Sequence, residues 1–154
     1  MKRRAGNWQL EAAVVENMRR ELPRFAAEYF QAGRQAASKG ARAKLLHEFR
    51  LLTKHFRYLI EMFRGYYGKK LAGYLKKLRR IQTLLGELND YAVTRAMLAG
   101  SPEASTEAVR DLFRYLNRQS RKKRAEFRRC WTEEVDAEGE LRRWSAFLRR
   151  PQRD

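Results

Sequence analysis

Apolar residues recur at intervals of three and four along most of the chain, and this helical spacing constrains the fold more than any other feature. Only three prolines and nine glycines interrupt the pattern. The linking stretches are short, so neighbouring helices are expected to run in opposite directions. The sequence therefore predicts an all-α fold, an antiparallel four-helix bundle with long helices and a short C-terminal helix.

Breaks in the apolar pattern set the expected limits of these helices. Pro23 is expected to break or kink the first helix, because proline lacks a donor and clashes with the preceding turn. Ser101-Pro102-Glu103 places a capping hydroxyl, a first-turn proline and an acidic residue in the order that favours a helix start. The expected segments are Trp8 to about Ser38, about Ala41 to Phe63 or Arg64, about Lys69 to Leu98, Ser101 to about Glu133, and, after a looser stretch from Asp136 to Gly139, a short helix holding Leu141, Trp144, Phe147 and Leu148.

The chain carries far more positive than negative charge. Its 35 Lys and Arg residues against 18 Asp and Glu give a formal net charge of +17, more than solubility requires. Such an excess usually serves to attract a polyanion, and nucleic acid, an anionic membrane surface and a phosphate polymer all fit the composition. Hydrophobic residues form 44% of the chain, enough to fill one core, so we expect a single domain over residues 1–150.

Several kinds of site and location are not expected. Cys130 is the only cysteine, so no disulfide can form within the chain and a reducing cytoplasm is expected. The basic N-terminus leads into no apolar segment and no run is long enough to cross a membrane, so neither secretion nor membrane insertion is expected. Two histidines and one distant cysteine do not make a ligand set. We therefore expect no metal and no cofactor.

The second predicted helix carries a line of cations. Its expected core face is Leu45, Phe49, Leu52, Phe56, Leu59, Ile60 and Phe63. Almost opposite that face the same periodicity gathers His47, Arg50, Lys54, Arg57, Tyr58 and Glu61. We call His47, Arg50, Lys54 and Arg57 the basic stripe. Its cations repel one another by a few tenths of a kcal/mol per pair unless an anion bridges them. A solvated basic surface is the alternative interpretation, and Tyr58 is expected at the edge of the bundle.

The third predicted helix has a clear apolar face and one unusual glycine. Its expected core residues are Leu71, Leu75, Leu78, Ile81, Leu85 and Leu88. Lys76, Lys77, Arg79 and Arg80 flank this face, so some of them must point beside the core. Gly86 costs a helix about 1 kcal/mol relative to alanine, and we expect it to mark a close helix crossing.

Two linked motifs resemble a known family. They are His47-x-x-Arg50-x-x-x-Lys54-x-x-Arg57-Tyr58-x-x-Glu61 and Leu78-x-x-Ile81-Gln82-x-Leu84-Leu85-Gly86-Glu87-Leu88-Asn89-Asp90. Together they closely resemble the CHAD family, the conserved histidine α-helical domain. The strong resemblance covers about residues 45 to 95. A weaker one lies in the fourth helix, with its basic run and Trp131, and residues 1 to 40 carry no usable motif.

The resemblance implies a helical fold with a basic cavity that binds inorganic polyphosphate, and it makes cytoplasmic polyphosphate granules an expected location. Members of the family usually contain two pseudo-symmetric four-helix halves, each with its own His-x-x-Arg helix. This chain has one such helix and resembles a half-domain, half of that two-bundle architecture. A cavity lined from one side would be open, so we expect a homodimer whose two-fold axis replaces the internal pseudo-symmetry.

The expected polyphosphate site combines three helices. Arginine can hold two phosphate oxygens in its planar fork, and lysine adds a mobile charge. Gln82 and Asn89 are expected to make helix-to-helix hydrogen bonds, and Glu61 to restrain one of the arginines. The expected site residues are His47, Arg50, Lys54 and Arg57 from the second helix, Arg79 and Lys76 from the third, and Arg121 from the fourth, where Arg118, Lys122 and Arg124 are weaker alternatives.

Two other functions stay open at this stage. A nonspecific nucleic-acid-binding protein would suit the charge equally well, although the aromatic residues sit mostly at core spacing and no nucleic-acid motif is recognisable. An enzyme acting on phosphate would need a metal-carboxylate cluster, a Gly-rich phosphate loop or a nucleophile with its base. The sequence offers none of these, so we expect no catalytic residue and no enzyme.

Overall fold

A computed structural model of the protein describes residues 8–151 and is all-helical, as predicted. Two 3-10 turns, Arg64–Tyr66 and Gly68–Lys70, connect the second and third helices. A π-helical turn, Trp131–Val135, continues the fourth helix. The five α-helices are α1 (Val14–Ala36), α2 (Ala43–Met62), α3 (Leu71–Ala99), α4 (Glu107–Cys130) and α5 (Glu140–Leu148).

The helices form an antiparallel bundle. Glu61 near the end of α2 meets Arg79 near the start of α3, while His47 at the start of α2 meets Asn89 further along α3. Glu87 of α3 likewise meets Lys123 of α4, while Arg80, earlier on α3, meets Glu134 just after α4. Helix α1 packs on α2 and on α5. The predicted four-helix bundle with a short last helix is therefore confirmed.

The first helix differs from the prediction at its start and at Pro23. It begins at Val14 rather than at Trp8, because the Asn17 side chain holds the preceding segment in a turn. Its amide donates to Gln9 O at 2.9 Å and its Oδ1 accepts from Gln9 N at 2.9 Å. Pro23 was predicted to break or kink the helix, and the break is wrong, since α1 runs through this buried proline. Packing of the helix against the core outweighs the roughly 3 kcal/mol that an interior proline costs.

The start predicted for the fourth helix at Ser101 is also wrong. Ser101 Oγ donates to Leu98 O at 3.0 Å and so finishes α3 instead of capping α4. Thr106 caps α4, because its Oγ1 accepts from Val109 N at 3.4 Å. The predicted end near Glu133 falls inside the π-helical turn, which closes with a 2.7 Å bond from Asp136 N to Trp131 O.

One cluster of buried side chains draws on all five α-helices. The predicted core residues of α3 are all buried. On α2 the core face is rotated from the prediction: Leu46 and Thr53 are buried, whereas Leu45, Leu52 and Leu59 are only half-buried. Thr53 fits inside because its hydroxyl donates to Phe49 O at 2.8 Å. The rotation turns the basic stripe from the far side of α2 toward α3.

Candidate functional site

The basic stripe lies along the edge where α2 meets α3, not almost opposite the core as the sequence predicted. The α3 residues across this edge are Arg79, Gln82, Gly86 and Asn89, spaced at three and four so that they share one side of the helix. Side-chain bridges between the two helices join the edge at several levels. These bridges hydrogen-bond some residues of the basic stripe to α3 and leave others without a partner there.

His47 is held at one end of the stripe. Its Nδ1 lies 2.8 Å from Asn89 Oδ1, and because an amide oxygen only accepts, Nδ1 carries the donated hydrogen. His47 is exposed, and its other ring nitrogen, Nε2, is not held by Asn89. Asn89 therefore makes the predicted helix-to-helix hydrogen bond and orients the histidine.

Arg57 is held at the other end. Its Nε donates to Gln82 Oε1 at 2.8 Å and its Nη1 to Glu61 Oε2 at 2.6 Å. The guanidinium lies 4.2 Å from the centre of the exposed Tyr58 ring. Both predicted roles are confirmed, Gln82 as a bridge between helices and Glu61 as a restraint on arginine.

Glu61 is shared between two cations. Its second oxygen, Oε1, accepts from Arg79 Nη2 at 2.7 Å. The hydrogen bond from Arg79, with the nearby charge of Arg57, lowers the pKa of the Glu61 carboxyl below its usual range. This carboxylate neutralises part of the Arg57 end, so the unbalanced charge of the stripe lies further toward His47.

Arg50 and Lys54 form the open middle of the stripe. Both are half-buried, and neither has an ion-pair partner within residues 8–151. The Nε of Arg50 is shielded from solvent and has no hydrogen-bond partner there. A buried donor without a partner costs about 1–3 kcal/mol, and more when it belongs to a charged group. An anion bound beside Arg50 would remove that cost once the side chain turned this nitrogen toward it.

Gly86 faces this open middle. The bridges from His47 to Asn89 and from Arg57 to Gln82 set the antiparallel register, which places position 86 opposite Arg50 and Lys54. A Cβ built on Gly86 would meet no atom within 4 Å. The predicted close helix crossing is therefore wrong, and the glycine instead leaves a notch beside the two unpaired cations.

Two predicted site residues are not joined to the stripe. Lys76 is exposed and has no hydrogen bond or ion pair to a stripe residue within residues 8–151. Arg121 is exposed on α4, where it borders a shallow depression with Arg114, Arg118 and Asp111. Arg79 does reach the stripe, through Glu61.

Arg124, a weaker alternative, borders a cavity that the sequence did not reveal. This cavity, of about 360 Å³, lies beyond His47 between the start of α2, the second half of α3 and α4. Arg124 Nη1 donates to Ala41 O, just before α2, at 2.7 Å. Burial lowers the pKa of Arg124, and the charges of Arg128 and Arg95 lower it further. Residues from three helices build the cavity, so no local sequence pattern marks it.

Neither a cluster of His, Cys, Asp and Glu that could hold a metal ion nor a helix able to cross a membrane occurs in the part of the chain that the structure describes. No curated protein and no solved structure matches the chain significantly. The family model of the CHAD domain matches residues 1–99. The match includes the first 40 residues, where no motif was recognised, and stops before α4, where a weaker resemblance was expected. It spans well over half of the 154 residues, and the chain therefore belongs to the CHAD domain family, as a partial CHAD domain.

Proposed function

We propose that the protein binds inorganic polyphosphate along the basic stripe, without chemical turnover. The observation that carries this proposal is the shielded, unpartnered Nε of Arg50, next to Lys54 and opposite the notch at Gly86. His47 and Arg57 on either side are already oriented by α3. A linear chain of phosphates would therefore meet a row of cations in which two side chains are fixed and two are unpaired. Membership of the CHAD family supports the same ligand.

Nucleic acid is the competing polyanion. Binding of single strands commonly uses aromatic side chains on which bases stack. Phe49, Phe56 and Phe127 are buried in the core and are not available for stacking, while beside the stripe Tyr58 offers one exposed ring that already lies against Arg57. The stripe follows the edge between two packed helices, whereas reading the sequence of a duplex requires a helix or β-ribbon that enters the DNA groove. Polyphosphate, a thin flexible polyanion, fits this edge better.

A titration at matched ionic strength separates the two ligands. Long-chain polyphosphate and duplex DNA of equal total charge are each titrated into the protein while binding is followed by calorimetry. Polyphosphate is expected to bind at least about tenfold more tightly, a difference of about 1.4 kcal/mol. Equal affinities would contradict the proposal, as would shortening of the polyphosphate during incubation.

We further propose that two copies of the chain line one polyphosphate from opposite sides. The α3 edge of the basic stripe continues past the start of α2 to the apolar side chain of Met97, which is 72% exposed. A two-fold contact at Met97 would bring the basic stripes of the two copies next to each other, with one polyphosphate between them. Light scattering is expected to give the mass of a dimer, and Met97→Gln to shift it toward the monomer. A wild-type protein that stays monomeric at working concentration would contradict the dimer, though not polyphosphate binding itself.

A further inference from the structure

The cavity beyond His47 has an apolar floor. Its floor residues come from α2 and from the second half of α3 and are Leu46, Leu85, Leu88, Ala92, Val93 and Ala96. Inorganic polyphosphate has no apolar part that could use this floor. The cavity therefore suits a different chemical class from the ligand proposed for the stripe.

The rim of the cavity is cationic. It holds Lys44, Arg95 and Arg124, with His47 on the side of the stripe, and none of the described residues that line it is acidic. Lys44 and Arg95 are exposed and have no ion-pair partner within the described range. An apolar floor beneath unbalanced positive charge is complementary to a molecule that carries an anionic group on an apolar body.

The N-terminus of α2 adds positive electrostatic potential at the same cavity. Arg42 at its N-cap makes no side-chain capping bond and its first turn contains no acidic residue. Ala43 and Lys44 of this turn line the cavity. The partial positive charge of a helix N-terminus therefore falls on the same side as the rim cations. It reinforces a site that the cavity and the rim already define.

We propose that this cavity binds a small anionic amphiphile, with its acidic group at the Lys44, Arg95 and Arg124 rim and its ring or short alkyl body on the floor. The volume of about 360 Å³ lies within the range of small-molecule sites, about 300–1,000 Å³. The shared chemistry covers both a soluble aromatic acid and a short-chain lipid phosphate.

The probe is 8-anilinonaphthalene-1-sulfonate, a sulfonate on an aromatic body whose fluorescence rises in apolar surroundings. The full chain is expected to give a saturable rise with one site per chain. Sodium octyl phosphate is expected to displace the dye. Inorganic phosphate, tripolyphosphate and octyl glucoside, which lack either the apolar body or the charge, are expected not to displace it at the same concentration. A comparison of benzoate with octyl phosphate as competitors tells whether the cavity prefers an aromatic or an alkyl body.

Substitutions at exposed positions test the site without threatening the core. Ala92→Trp fills the floor and is expected to abolish the saturable signal. Lys44→Gln with Arg95→Gln is expected to weaken dye binding about tenfold, the effect of losing roughly 1.4 kcal/mol of charge interaction. The matched control, Arg142→Gln with Arg149→Gln, removes the same charge at exposed positions in and after α5 and is expected to change little.

Two further variants separate this proposal from those for the basic stripe and the dimer. The dye titration is expected to be unchanged in Arg50→Gln with Lys54→Gln and in Met97→Gln. Loss of dye binding with Met97→Gln would place the dye between two copies and overturn the proposal. Three other results would also overturn it. The first is an equal loss of dye binding in the Lys44→Gln, Arg95→Gln pair and in its control. The others are displacement of the dye by tripolyphosphate as effective as by octyl phosphate, and an undiminished signal in a folded Ala92→Trp protein.

Discussion

Two glycines inside helices, Gly33 and Gly86, have different surroundings. Gly33 of α1 lies against Trp131, so that a Cβ there would stand 2.0 Å from the indole ring. Trp131 is buried and contacts Tyr29, Phe30 and Phe49. The ring cannot move away without disturbing those neighbours, since protein interiors are close-packed. Gly86 has the opposite surroundings, with open space in place of a close neighbour.

Gly33→Ala is therefore expected to destabilise the fold. Overpacking a core typically costs about 1–3 kcal/mol, and this contact lies at the severe end of that range. Gly73→Ala is the matched control, because a Cβ on this α3 glycine meets nothing within 4 Å. It is expected to raise the free energy of unfolding by up to about 1 kcal/mol through helix propensity. Urea unfolding measures both, and equal effects of the two substitutions would contradict the packing described for Trp131.

Gly86→Leu is expected to separate stability from binding. The new side chain enters open space, so the free energy of unfolding should not fall, but it fills the notch opposite Arg50 and Lys54. We expect polyphosphate affinity to drop about tenfold, corresponding to about 1.4 kcal/mol. Gly73→Leu makes the same change away from the stripe, and calorimetry should show its affinity unaltered. A Gly86→Leu protein that binds as well as wild type would show that the ligand does not use the notch.

At the scale of the elements, the edge between α2 and α3 is held by polar bridges instead of a close crossing. Asn89 orients His47, Gln82 orients Arg57, and Glu61 joins Arg57 to Arg79. Glu61 acts there as an internal anion, occupying cations that an external phosphate could otherwise contact. The bridges thus position the ends of the stripe while reducing its charge at the Arg57 end.

Glu61→Gln is expected to tighten polyphosphate binding by about threefold, because Arg57 and Arg79 lose their competing carboxylate. The same change should cost stability at neutral pH. Since the pKa of Glu61 is lowered in the folded state, its contribution is present above the unfolded value of about 4.3 and is lost as the pH falls through the folded value. The stability difference between wild type and Glu61→Gln should therefore shrink below about pH 4. Weaker binding by the variant would show instead that Glu61 is needed to hold Arg57 in place.

Helix content and the restraint of Arg57 by Glu61 could be predicted from the sequence, because both follow from residue spacing on a single helix. Gln82 and Asn89 were predicted to make helix-to-helix hydrogen bonds, but their partners on α2 depend on how the two helices pack. The boundaries that failed depend on side chains acting across several residues. Asn17 keeps Gln9 out of α1, and Thr106 rather than Ser101 caps α4. The rotation of α2 depends on Thr53 satisfying its own hydroxyl on Phe49 O. Tertiary packing decides these helix boundaries and the rotation of α2, and it overrides local helix propensity.

At the scale of the whole molecule, the net charge of +17 is spread over more than one surface. Arg121 and its neighbours on α4 form a separate basic area from the stripe, and the cavity rim forms another. Arg121 was predicted at the same site as the stripe because the spacing of a dense basic run does not reveal which way each side chain points. General attraction of polyanions therefore belongs to the molecule as a whole. Specific binding is proposed for the stripe, where unpaired cations meet the notch.

The most direct measurement compares two pairs of charge removals. Arg50→Gln with Lys54→Gln alters the open middle of the stripe, and Lys69→Gln with Lys70→Gln removes the same charge from the exposed 3-10 turn before α3. Polyphosphate affinity is measured for each over a range of salt concentrations. The stripe pair is expected to lower the affinity at least about tenfold and to reduce the slope of log K against log salt by about two, while the turn pair changes affinity by less than about threefold. Equal losses from the two pairs would mean that net charge alone binds polyphosphate and would contradict a site at the basic stripe.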